Sequence, residues 1–160
     1  MALHPLFSEK DAVLEQSFAG TWKEESSADL FTFQKTGDNF YALTVNHLGT
    51  TSRFEAVLTR LAGLLLIDLV PVALEGNNHF YKDRFLPLHS IYAIAIAGDT
   101  LHATPINDGK LHDLLRDKKT GLTLDRHGKS LLLTASTDEL RAFFQQYLAF
   151  PITQPSCFDL

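Results

Sequence analysis

Asp68 is the residue in this chain whose setting most demands a chemical explanation, because Leu64-Leu65-Leu66-Ile67-Asp68-Leu69-Val70 places a carboxylate inside an apolar run. An unpaired charge buried there is costly, so Asp68 needs a partner or a raised pKa. Two outcomes stand open. The carboxylate hydrogen-bonds backbone amides or an arginine such as Arg60 or Arg84 at a sheet rim, or it faces a cavity to orient a ligand or act as a base. His89 heads a second run in which Ile91, Ala93, Ala95 and Ala97 share its parity. It therefore serves either as the polar fixing group of an apolar pocket or as a structural histidine beneath a packed helix. His102, one run further on, is a candidate to approach it.

The remaining chemistry is narrowed by what the chain lacks. None of the seven histidines falls in a His-x-x-x-His or His-Glu-x-x-His arrangement. His79, His89 and His102 with Asp68 are the one combination that space could gather, and no metal or cofactor is expected. The single cysteine, Cys157, excludes an intrachain disulfide and a cysteine-based metal site. There is no Gly-x-Ser-x-Gly elbow, Walker loop or dinucleotide fingerprint, which leans the chain away from enzymes. Net charge is −5 and the basic residues are scattered, a poor footprint for nucleic acid or anionic membranes. The short run Arg116-Asp117-Lys118-Lys119 reads as a solvated helix end. The apolar stretch from Leu61 to Leu74 is broken by Gly63, Asp68 and Pro71 and is too short for a transmembrane helix. The first residues show neither a basic nor an apolar signal region.

The elements that must position these side chains follow from periodicity and turn chemistry. A short helix or arm is expected over 1–17, with the helix at Asp11 to Ser17. Strands follow at Trp22, at Leu30 to Gln34, at Phe40 to Asn46 and at Ser52 to Leu61, where Phe54, Ala56 and Leu58 alternate with Arg53, Glu55 and Thr59. Leu64 to Val70 reads as a strand buried on both faces. Pro71 to Pro87 is the one long loop, before strands at Leu88 to Ala97 and Thr100 to Thr104. A short inserted helix is expected at Asp108 to Lys118, then a hairpin from Gly121 to Thr134. Ser136-Thr137-Asp138-Glu139 is a capping box that opens a C-terminal helix over 136–149. Short hairpins in series, without βαβ alternation, specify one mainly β domain over 1–160. Its expected form is an antiparallel up-and-down β-barrel of about eight strands.

Gly20-Thr21-Trp22 at the mouth of the first strand, hairpins in series and an amphipathic helix after the meander resemble the lipocalins and the wider calycin group. That resemblance implies a cupped barrel with Trp22 plugging one end. A Thr-Asp-Tyr-like second motif is missing, and the inserted helix stands where a typical lipocalin has a turn. The chain also resembles a group of uncharacterised bacterial proteins, often exported or lipid-anchored, in its Gly-Thr-Trp opening, its Ile67-Asp68-Leu69, Pro87-Leu88-His89 and Leu133-Thr134-Ala135-Ser136-Thr137. That likeness implies a cell-envelope or periplasmic location.

The expected function is binding of a small apolar or amphipathic ligand inside the barrel. Trp22, Phe33, Phe40, Phe54 and Tyr92 are expected to line or close it, and Asp68, His89 and His102 to supply polar contacts. The alternative is a protein-interaction or inhibitor domain with a packed interior, using Glu75 to Phe85 and the aromatics Phe80, Tyr81 and Phe85. A third possibility, an isomerase or hydrolase built on Asp68 and a histidine, requires the two side chains within hydrogen-bond reach in one cleft.

Overall fold

The computed structural model describes residues 1–72, 85–106, 111, 122–127 and 130–148. Among these residues the strands and the one fully described α-helix run in the order β1 (Ala12–Val13), β2 (Gly20–Lys23), β3 (Leu30–Lys35), β4 (Tyr41–His47), β5 (Thr50–Leu61), β6 (Leu64–Pro71), β7 (Ser90–Ala97), β8 (Thr100–Pro105), β9 (Leu124–His127), β10 (Ser130–Leu133) and α1 (Thr137–Tyr147). Each strand from β2 to β8 pairs antiparallel with its sequence neighbour. The result is the expected mainly β, nearly closed barrel-like sheet. Its terminal strands, β2 and β8, share no ladder among the described residues.

Tight turns set the register. Leu48-Gly49 joins β4 to β5 and Ala62-Gly63 joins β5 to β6, with φ of 49° and 81° in the first and 52° and 80° in the second. Two positive φ values in a two-residue loop match the right-handed twist of the strands, and glycine supplies the second at no steric cost. Leucine is a poor choice for the first, and Leu48 is 84% exposed. Leu48→Asn should therefore raise stability by about 1 kcal/mol, because asparagine tolerates the left-handed region better. A thermal melt with an unchanged or lowered midpoint would contradict this account of the turn.

Pleating divides the side chains between two cores. One face of the sheet carries Phe33, Tyr41, Leu43, Ala56, Leu58, Ile67, Ile94 and Leu101 into the barrel interior. On the other face of β5 and β6, Leu61 and Leu66 pack with Leu131, Leu133, Leu140, Phe143 and Phe144. The run from Leu64 to Val70 is thus buried on both sides, which is why it lacks the usual apolar–polar alternation. The helix α1 begins as its capping box requires, with the Ser136 amide donating to Glu139 at 2.9 Å and the Glu139 amide to Ser136 at 3.4 Å. It lies against the outside of the barrel.

The first eighteen residues form a strap instead of the expected helix at Asp11 to Ser17. Two 3-10 turns, Glu9–Asp11 and Gln16–Phe18, flank β1, which pairs with Leu58 and Thr59 of β5. Tertiary hydrogen bonds outcompete the helix: Thr59 donates to the Asp11 carbonyl at 3.1 Å, and the Tyr41 hydroxyl donates to the Glu15 carbonyl at 2.9 Å. Ala2 bridges His89 and Leu133, tying β7 to β10. A second difference concerns β9 and β10, which pair with each other outside the barrel sheet and join the outer core. The inserted helix expected at Asp108 to Lys118 lies outside the described residues except for Leu111, which is buried.

Asp11 fastens the strap. The hydroxyl of Ser8 hydrogen-bonds its carboxylate and holds its pKa below the ordinary 3.8, against partial desolvation and with help from Arg141 at 3.4 Å. A depressed carboxyl contributes stability that is present above its unfolded value and lost as pH falls through the folded one. Ser8→Ala should move the Asp11 titration back up toward 3.8, measurable by NMR of the side-chain carboxyl. An unmoved titration would assign the depression to Arg141.

Candidate functional site

Inward residues of β3 to β8 leave a cavity of about 370 Å³ inside the barrel. Cross-strand register stacks its walls: Phe31 with Val45 and Ser52, Phe33 with Leu43 and Phe54, and Ile67 with Tyr92. Leu69, Ser90, Ile94, Leu101 and Ala103 complete the lining. Phe18 fills one end of the barrel. It is fully buried, with its ring centre 4.2 Å from Phe33 and 5.2 Å from Tyr41. Ser52, Phe54, Leu69, Ser90 and Tyr92 stand toward the opposite end, where the cavity reaches the surface at exposed Ser52.

Three side chains bring polarity to this space: Ser52, Ser90 and Tyr92. Burial pushes the Tyr92 hydroxyl above its ordinary pKa, so it is neutral at physiological pH. No ionisable carboxylate, ammonium, guanidinium or imidazole is found among the described lining residues. The cavity is suited to enclosing apolar surface and to hydrogen bonding at one end.

Of the expected lining residues, Phe33, Phe54 and Tyr92 are found there. Trp22 packs beside the same inner core from the edge strand β2, but it is not the plug: Phe18 is. The indole N–H must find an acceptor, and it donates to the Phe18 carbonyl at 3.1 Å, so Trp22 secures the strap residue that fills the barrel end. Phe40 stands apart from the cavity, 38% exposed beside β4, with its ring edge-on to Phe7 at 6.4 Å. It precedes the first ladder residue of β4, so the alternation of that strand does not carry it inward.

Asp68 and His89 meet on the outer face of the sheet, away from the cavity. Register sets Asp68 opposite Ile91 while Ile67 and Leu69 face inward. The His89 Nδ1 lies 2.7 Å from Asp68 Oδ1, and the Leu6 amide donates to Oδ2 at 2.8 Å. Both carboxylate oxygens are therefore engaged, and the side chain is 1% exposed. Of the expected arginine partners, Arg60 pairs with Glu15 at 3.4 Å, and Arg84 lies outside the described residues. His89 also edges a 40 Å³ void whose other described walls, Met1, Ile91, Ile106, Leu111, Leu133 and Phe144, carry no side-chain hydroxyl or thiol. The hydrogen-bond condition for an Asp–His catalyst is met, and the space beside the pair among the described residues is this void of about 40 Å³. His102 faces outward opposite Ala95, six residues along β7 from His89, a distance of about 20 Å at the usual strand rise.

Among the described residues no group of three metal-ligating side chains is gathered. His79, Phe80 and Tyr81 lie outside them. Sequence reasoning missed Phe18, Ser52 and Ser90; their inward placement arises from long-range pairing, and neither serine stands out in its local sequence. Compared with known proteins, the chain matches no family model, no curated protein and no solved structure.

Asp68→Ala should cost about 2–4 kcal/mol, because it leaves the Leu6 amide unsatisfied and His89 without its orienting partner. Urea unfolding measures the loss, and hydrogen exchange at Leu6 should accelerate with it. A variant as stable as the parent would mean that the strap and β7 are held in place without the Asp68 carboxylate.

Proposed function

We propose that this protein is a lipocalin-like binder that encloses a small apolar or amphipathic molecule in its barrel. The observation that supports this is the apolar cavity of about 370 Å³ between β3 and β8, within the range typical of small-molecule sites of about 300–1,000 Å³. Close packing is the rule in protein interiors, and most voids are no larger than a water molecule. An apolar space of this size therefore calls for an occupant. The Gly20-Thr21-Trp22 resemblance, the meander and the C-terminal helix point the same way.

The alternative, an interaction domain, requires a packed barrel and exposed aromatics at Phe80, Tyr81 and Phe85, of which Phe80 and Tyr81 lie outside the described residues and Phe85 is half-buried. The hollow interior weighs against the first requirement. Titration with N-phenylnaphthylamine, a neutral apolar fluorophore that brightens in dry pockets, tests binding directly. Ala103→Trp, which places an indole in the cavity from β8, should weaken the dye at least about tenfold, or roughly 1.4 kcal/mol. Dye binding that is absent in the parent, or unaffected by Ala103→Trp, would sink the proposal.

A further inference from the structure

Resting on that binding role, we infer that the cavity selects uncharged amphiphiles carrying one hydrogen-bonding group, such as an alcohol, and rejects fatty carboxylates and alkylammonium ions of equal length. The ligand's apolar chain lies toward the Phe18 end, and its polar group is held by Tyr92, Ser52 and Ser90.

Orientation follows from where polarity is found. Toward Phe18 the walls are hydrocarbon, with Leu43, Ile94 and Leu101 buried around the space. Toward Ser52 they carry three hydroxyls. The Tyr92 hydroxyl has no hydrogen-bond partner among the described residues, although Tyr92 is half-buried and tyrosine hydroxyls in such settings normally find one. A ligand hydroxyl can both accept from it and donate to a serine, satisfying both sides.

Selection against charge follows from the absence of a counter-ion among the described residues around the cavity. Arg60 and Arg141 pair with Glu15 and Asp11 at the strap. Arg53 flanks inward Phe54 with outward parity, and Lys35 stands opposite Tyr41 at the filled end. At the other end Asp29 and His47 engage each other at 2.7 Å. An ionised headgroup entering the cavity would lose hydration and gain only neutral hydroxyls, which repay a charge poorly.

The test is displacement of bound N-phenylnaphthylamine by dodecanol, dodecanoate and dodecylammonium at neutral pH, below their aggregation concentrations. Dodecanol should displace the dye at concentrations at least about tenfold lower than either ion. Tyr92→Phe should narrow that gap, weakening dodecanol about fivefold more than it weakens the dye. Equal or tighter binding of either ion, or a gap untouched by Tyr92→Phe, overturns the selectivity while leaving the binding role intact. A parent protein that fails to take up the dye overturns the binding role, and the selectivity with it.

Discussion

The buried carboxylate of Asp68 is the constraint around which the rest of the structure is arranged. A charge at that position on β6 is tolerable only if both oxygens are satisfied, and the two donors come from segments far apart in the chain, the Leu6 amide and the His89 ring. To deliver them, the strap must cross the outer face of the sheet and β7 must begin beside it. The backbone pairings Ala2–His89 and Ala2–Leu133 then fall into place, and the hairpin β9–β10 is drawn against the outer face with α1 behind it. A single polar requirement thereby ties the outer core to the barrel.

This division of labour explains how the barrel can be hollow. In a small domain the interior of a barrel is usually its main source of apolar burial. In this chain a second core, built from Leu66, Leu133, Leu140, Phe143 and Phe144 on the opposite face, shares that role. The inner face is released from filling its own space completely. Its remaining burial is concentrated around Phe18, where three aromatic rings converge.

Much of this is legible in the sequence where the determinants are local. Glycine turns announce the hairpins, alternation announces β5, and the serine–glutamate box announces the start of α1. The double burial of Leu64 to Val70 and the demand that Asp68 be satisfied are also readable, because each is a property of one strand. What is not readable depends on pairings between distant residues. The strap has no periodicity of its own and takes its form from β5, Tyr41 and Asp68. Phe18 looks like a helix-end residue until Trp22 anchors its carbonyl and the barrel end receives its ring. Asp68 and His89 stand out in the sequence as polar residues that need partners, but which face of the sheet they share depends on strand register, and that places them outside the cavity they were expected to serve.

The strap also imposes an order on synthesis. The amine of Met1 lies 3.4 Å from the carbonyl of Leu131, across 130 positions of sequence. At ordinary rates of translation the interval between making the two is on the order of ten seconds. The barrel ladder needs only neighbouring hairpins and can assemble as its strands emerge, whereas Ala2 and Leu6, fully buried in the end, must wait for β10 and α1. The strap's apolar residues are thus made well before the segments that cover them, and over that interval they are open to a nascent-chain chaperone.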